Sequence, residues 1–351
     1  MAQSFCIKNQ RTSSLGNDWI FKNKLMKIIT IIIPIYGVEK YIERCATSLF
    51  EQTLNNIEYI FVDDATPDKS IEILTNVLER YPQRKPQVTI IRHARNQGLP
   101  AARNTGLAAA IGEYVFHCDS DDYLEKDALE RMLIIAENTD SDIVWCDYYL
   151  SFSSNERIMT QPYYSNSQEA IKGMLSGCMK YNVWNKLAKR RLYVDNSISF
   201  PAGHSMGEDM TMIKLFAHAK KVAYLNAPLY HYIRLNTDAM TQSYSERKIA
   251  DIEFNVAQTL DYLSKKCKFD LAQEFTLFKL STKLPLLISD KMCNYRIWNE
   301  LYPETNKYIL KNKKQSLRIR ALQWFASKKV YWVVKMYNII LNKLIYGMLY
   351  K

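Results

Sequence analysis

From Ile28 onward the chain alternates short, unbroken apolar runs with longer stretches whose apolar residues recur every three or four positions. Ile28–Ile33 is β-branched throughout and reads as a strand buried on both faces. Residues 39–54 follow, with apolar positions 41, 42, 45, 46, 49 and 50, the spacing of one helical face. Ile57–Val62 is a second strand, and Asp68 then stands where it can cap a helix carrying Ile71, Leu74, Val77 and Leu78. Val88–Arg92, Glu113–His117 and Asp142–Tyr149 are further strands. Between them lie a helix from Pro100, a residue suited to a first helical turn, through Ile111, and an amphipathic helix over 125–137. This alternation predicts an α/β fold, a mostly parallel central sheet with helices on both faces. Periodicity is weaker over 150–250, where Met212, Ile213, Leu215 and Phe216 mark one short helix. Helical spacing returns over Ile252–Leu263 and Leu271–Leu280.

Polar clusters stand where the strands end: Pro34–Tyr36, Asp63-Asp64, Asn96-Gln-Gly98 and Asp119-Ser-Asp-Asp122. In open parallel sheets, ligands bind beyond the carboxyl ends of the strands. Three carboxylates within the last cluster repel one another unless a cation or a set of donors offsets them. Magnesium and manganese prefer such oxygen ligands and would in turn hold a diphosphate. The bland alternative is an acidic turn capping the helix near Glu125. There is no GxGxxG and no GxxxxGK[ST], which argues against dinucleotide oxidoreductases and P-loop enzymes.

Composition changes this picture in two places. The seven cysteines are scattered, without CxxC or Cys/His metal spacing, as expected of reduced thiols in a cytosol. The formal net charge of +11 is carried wholly by the residues after Glu304. There no acid occurs, and Lys307, Lys311, Lys313, Lys314, Arg318, Arg320, Lys328, Lys329, Lys335, Lys343 and Lys351 all stand. The basicity belongs to a tail and not to a nucleic-acid-binding fold. From Leu317 that tail is also rich in aromatics, and Lys328, Lys335 and Lys343 recur at spacings of seven and eight, near one face of a continuous helix. A basic amphipathic helix of this kind fits an anionic membrane surface. The alternative is a helix packed on the main domain with its lysines in solvent. No apolar run of 18 residues occurs, so no transmembrane helix is expected. Residues 1–25 lack the apolar core of a signal peptide.

The segments IIIPIYGVEKYIERCATSLFEQT, IEYIFVDDATPDKS, NQGLPAARNTGLAAAIGEYVFHCDSDDYL and GEDMTMIKLF, in this order and spacing, resemble family 2 glycosyltransferases of the GT-A fold, of the bacterial capsule, lipopolysaccharide and exopolysaccharide type. The resemblance runs from about residue 27 to about 245. It implies a GT-A domain over 27–245; Met26-Lys27 directly before the first strand points to a mostly disordered leader over 1–26, and the pattern beyond the domain gives a helical region over 246–312 and the basic tail over 313–351. Within the GT-A domain it implies a nucleotide-binding half (27–123) and an acceptor half (124–245).

It also assigns roles. Pro34, Tyr36 and Glu39 match the first nucleotide-binding turn, with Tyr36 stacked on the base or, alternatively, a core aromatic. Asp64, with Asp63, matches the acid that reads the base; a carboxylate can accept the N3–H of uracil. Asn96 and Arg103 match the loop lining the donor pocket, and Arg103 is equally plausible as a clamp on the acidic cluster. Asp119 and Asp121 match ribose and sugar contacts, and Asp121 and Asp122 the metal ligands, for Mn2+ or Mg2+. Trp184, Asn185 and Lys186 match the WNKL segment on the acceptor side, where Trp184 is either a sugar platform or a core residue. Asp209 matches the catalytic base, with Glu208 beside it positioning the acceptor; a helix cap is the alternative for Asp209. His231 and Arg234 match a closing loop that meets the diphosphate.

The resemblance implies an inverting, metal-dependent transferase. It would move a sugar from a nucleotide-sugar, a UDP-sugar, to a hydroxyl of a glycan or lipid-linked acceptor. Its place would be the cytoplasm, at the inner face of the membrane. A sugar nucleotidyltransferase would share the fold class and metal acids but needs a glycine-rich phosphate loop, which is missing. A non-catalytic polysaccharide- or membrane-binding module would not need Asp121, Asp122 and Asp209 together.

Overall fold

The computed structural model describes residues 29–152, 155–204, 207–233, 245–289 and 293–340. Among these residues nine strands form one sheet: β1 (Ile29–Ile35), β2 (Ile57–Asp63), β3 (Val88–Arg92), β4 (Tyr114–His117), β5 (Tyr123–Leu124), β6 (Ile143–Ser151), β7 (Glu156–Met159), β8 (Lys186–Lys189) and β9 (Val222–Ile233). Their order is β3-β2-β1-β4-β8-β6-β9-β5, with β7 on the far end of β6. β3, β2, β1 and β4 run parallel, as the strand–helix alternation predicts. β8 then inserts antiparallel between β4 and β6, and β5 pairs antiparallel with β9, so the whole sheet is mixed.

Every residue of β1 and β2 is buried, because layers cover both faces of the sheet there. Alternation divides the strand between two layers. Ile29, Ile31, Ile33 and Ile35 pack with the helices Ile42–Phe50 and Ala128–Thr139, while Ile32 joins Ile60, Val62 and Ala102 on the other side. On that second side the helix Leu99–Ala109 lies so close to the sheet that a Cβ on Gly106 would collide with Ile32. β3 is the exposed edge, its apolar residues only half covered.

The helices Glu246–Lys266 and Ala272–Thr282 contribute Ile252, Val256, Leu263, Phe278 and Leu280 to the same apolar cluster as Trp145 and Phe216. The helical region is therefore continuous with the core of the sheet domain.

The tail departs from expectation. It forms two helices, Leu317–Ser327 and Tyr331–Ile339, broken where Lys329 takes a left-handed conformation (φ 59°). Leu322, Ala326 and Val334 are buried in the large core. Lys328 caps the first helix and Lys335 lies in the second, so their spacing does not place them on one continuous face. Lys343 lies outside the described residues, as does the leader. Among the described residues no helix is long and apolar enough to cross a membrane.

Candidate functional site

The four polar strand ends stand side by side because β3, β2, β1 and β4 are adjacent and parallel. After β1 the chain turns at Tyr36-Gly37, with Pro34 buried in the strand, Tyr36 exposed and Gly37 at φ 68°. Glu39 is exposed; its carboxylate accepts from Lys69 N, and its own N–H donates to Asp68.

The paired acids at the end of β2 turn inward. Asp63 accepts from Thr66 N at 2.8 Å and pairs with Arg92. Asp64, 2% exposed, accepts from Gln97 N and Gly98 N, both at 2.8 Å, and lies 2.7 Å from His93 Nδ1. The other ring nitrogen of His93 lies 2.8 Å from Thr105 Oγ1. In this structure Asp64 shapes the loop after β3 with a carboxylate already committed to protein donors, where the resemblance implies an acid open to the base. Asn96, on that loop, is exposed.

The acidic cluster after β4 divides into three different environments. Asp119 is partly exposed, and its Oδ1 accepts from Arg103 Nη2 at 2.9 Å. Asp121 is partly exposed as well. Asp122 is wholly buried: Oδ2 accepts from the Tyr230 hydroxyl and Oδ1 from Ile233 N, both at 2.7 Å. Burial, aided by repulsion from Asp121 and Asp119, pushes the Asp122 carboxyl well above the usual range. Expected at a metal, Asp122 is instead tied to β9, because the strand brings two donors to it. The same Tyr230 hydroxyl accepts from Asp119 N at 3.1 Å, so one phenol links both ends of the cluster.

Arg103 is 1% exposed and joins two distant parts of the chain. It projects from the helix Leu99–Ala109, and while Nη2 serves Asp119, Nη1 donates to Asp209 Oδ1 at 2.8 Å. Phe200 lies under the guanidinium, 5.5 Å from it. Of the two readings of Arg103, the clamp is the one observed. Asp209 sits in the short 3-10 turn Glu208–Met210 that leads into the helix Thr211–Phe216. The cap position of that helix is Met210, which makes no side-chain cap bond, and Asp209 Oδ1 is given to Arg103 instead. Burial raises the Asp209 carboxyl above its ordinary value, aided by Asp119 and opposed by Arg103 and Lys186. Glu208 opens the same turn, and its side chain is outside the described residues.

The WNKL residues are internal. Trp184 is buried, stacked on Tyr230 and Tyr232 and edge-on to Tyr148, which makes it the core residue of its two readings. Asn185 donates to Cys146 O at 2.8 Å across the sheet. Lys186 Nζ donates to Lys180 O, Asn182 O and Asn185 Oδ1, each at 2.8 Å. Burial pulls its ammonium down to about 7, opposed by the charge of Asp209, and three acceptors around one nitrogen favour the protonated form. Asn185 and Lys186 thus brace the strand next to the cluster, with no open face for an acceptor.

His231 is buried between the rings of Tyr123 and Tyr149 and bonded to Glu125 and Glu156. Both ring nitrogens are engaged with carboxylates, where the resemblance implies a contact with the diphosphate. Arg234 lies outside the described residues. Sequence reasoning missed Tyr230 and His93 as site supports. Tyr230 had a faint signal in the alternation Tyr230-His-Tyr232; His93 had none.

The mixed sheet with its covering helices has the GT-A glycosyltransferase fold, and a helical C-terminal region follows it. S. aureus TarS 1-349, solved in complex with UDP-GlcNAc, superposes with a TM-score of 0.62 over 88% of this chain and 90% of its own, at 18% identity. A mannosyltransferase of Pyrobaculum calidifontis, PcManGT, solved with GDP-Man and Mn2+, gives 0.52 over 94% and 92%, at 16% identity. The family model Glycosyl transferase family 2 matches residues 30–207. The uncharacterized glycosyltransferase EpsJ of Bacillus subtilis is 32% identical over 76% of this chain and 78% of its own. EpsH of the same organism is 34% identical over 62% of this chain, and the match spans 64% of EpsH. The chain belongs to glycosyl transferase family 2.

Proposed function

We propose that this chain is an inverting glycosyltransferase that moves a sugar from a UDP-sugar to a hydroxyl of a glycan or lipid-linked acceptor, in the synthesis of a surface polysaccharide. The observation that carries the reading is the Arg103 bridge. It brings Asp209, 106 residues away in sequence, to the same guanidinium that holds the strand-end acid Asp119. A loop acid beside a donor-side acid is the arrangement a one-base displacement requires.

In this reading Asp209 accepts the proton of the acceptor hydroxyl as that oxygen attacks the anomeric carbon. The bond from that carbon to the diphosphate breaks on the opposite face, and UDP departs. Burial makes Asp209 a stronger base than an ordinary aspartate, and the Arg103 guanidinium favours its carboxylate form. Tyr36, exposed after β1, is available to the base of the nucleotide.

A divalent cation, Mn2+ or Mg2+, fits the partly exposed carboxylates of Asp121 and Asp119, while Asp122 is committed to Tyr230 and Ile233. Among the described residues no three acidic, His or Cys side chains form a ready cage. One or two carboxylates plus phosphate oxygens are the usual magnesium arrangement. Such an ion would offset charge on the departing diphosphate.

The reading draws support from TarS, solved with UDP-GlcNAc, and from PcManGT, solved with GDP-Man and Mn2+. A panel of UDP- and GDP-sugars with manganese or magnesium, read by nucleoside diphosphate release, tests it. Release from a UDP-sugar, accelerated by an acceptor hydroxyl, is expected. Release of inorganic diphosphate from a nucleoside triphosphate plus sugar phosphate would replace it with the nucleotidyltransferase reading.

A further inference from the structure

The helix Tyr331–Ile339 has two unlike faces. Its inner face is fixed to the protein: Val334 is fully buried, Tyr331 stacks on Tyr295, and Asn338 donates to Leu287 O at 2.5 Å. Its outer face carries Trp332, Met336, Ile339 and, at the cap, Ile340, at steps of four, three and one. These positions lie on one side of a helix. Trp332 is 68% exposed, Met336 50%, Ile339 48% and Ile340 44%. Single exposed apolar residues are ordinary on a soluble surface, but a contiguous stripe of four on one helix is not. Exposed Lys335 borders the stripe, and exposed Lys328 and Lys329 occupy the turn just before the helix. No acidic residue occurs anywhere in the chain after Glu304.

We infer that this helix docks the protein, lying in the plane of the interface, on an anionic lipid surface. Its apolar stripe enters the boundary between headgroups and acyl chains. The charge around it decides between occupants. A second copy of the chain would bring the same lysines against themselves, whereas an anionic bilayer neutralises them. The aromatic at the rim, Trp332, suits the boundary itself, with an apolar ring and one polar N–H. The surface is made by the turn at Lys329, which breaks the tail into two helices and sets the second with its stripe outward. The inference is independent of the transfer reaction, since vesicle binding and UDP release are separate readouts.

The test is sedimentation of the full chain with vesicles of equal parts phosphatidylglycerol and phosphatidylcholine at low salt, against vesicles of phosphatidylcholine alone. The wild type is expected to partition onto the anionic vesicles and to leave them as salt rises. Lys328→Ala, Lys329→Ala and Lys335→Ala together should weaken partitioning about a hundredfold, at about fivefold per lysine. Trp332→Ser with Ile339→Ser should abolish it while circular dichroism and melting stay near wild type, because both residues are exposed. Quenching of tryptophan fluorescence by brominated acyl chains should disappear in the Trp332→Ser variant. Equal partitioning of wild type and the serine variant would overturn the inference. So would a wild type that ignores anionic vesicles, or a concentration-dependent dimer that the serine variant abolishes.

Discussion

Replacing Arg103 by Met removes the guanidinium while keeping an unbranched chain of similar length over Phe200. Two charge-assisted hydrogen bonds are lost, at 2.8 Å to Asp209 and 2.9 Å to Asp119. Each bond of this kind is worth about 1.5–3 kcal/mol when its partner is buried. The two carboxylates retain 22% and 24% of their side-chain exposure, so water replaces part of the loss. The low end is therefore appropriate, about 3 kcal/mol for the pair. A further effect falls on the site. Without the Arg103 cation, only Lys186 still opposes burial and Asp119, and the Asp209 carboxyl rises further. A larger share of Asp209 is then protonated at any given pH, and that share does not serve as a base. The acid limb of the transfer rate, which falls away as pH drops through the Asp209 pKa, should move to higher pH. Urea denaturation measures the first effect, and transfer rates from pH 5 to 9 the second. Arg103→Lys should restore charge but not the fork, because one ammonium cannot reach two carboxylates with the same geometry. A Met variant that keeps its stability within about 0.5 kcal/mol and its pH profile would refute the clamp, since a surface substitution has no larger effect.

Three other perturbations follow from the same geometry. Asp122→Ala strands the Tyr230 hydroxyl and the Ile233 N–H, and should cost about 2–4 kcal/mol of stability by denaturation, with Asp122→Asn milder because it keeps an acceptor. Asp121→Asn should leave the melting temperature near wild type and make UDP affinity equal with manganese and with EDTA; a manganese dependence that survives would remove Asp121 from the metal. Gly106→Ala should destabilise by about 1–3 kcal/mol, because its Cβ meets the fully buried Ile32 on a strand that cannot retreat.

The first half of the fold was legible because double burial leaves a plain trace. β1, β2 and β4 need apolar residues on both faces, and the polar ends after them mark where burial stops. The convergence of those ends follows from parallel order alone. What each end does was less legible. Whether Asp64 or Asp122 faces a ligand depends on donors brought from elsewhere, Gln97 and Gly98 in one case and Tyr230 and Ile233 in the other. No local pattern records such partners. Asn185 and Lys186 read as polar site residues, yet β8 begins there, inserts into the sheet and leaves them buried, an antiparallel addition that weak periodicity did not reveal. The break at Lys329 carries neither Gly nor Pro, so the tail read as one helix.

Transfer by a single base depends on Asp209, and Asp209→Asn tests that role directly. The amide keeps an oxygen that can still accept from Arg103 Nη1, so the clamp loses charge but not its geometry. In single-turnover transfer with saturating UDP-sugar and acceptor, the rate should fall by about 10²–10⁴-fold, the usual contribution of a general base. UDP-sugar affinity should stay within about threefold, since binding makes no demand on a proton acceptor. A variant that binds donor normally and transfers at more than about a tenth of the wild-type rate would contradict the assignment.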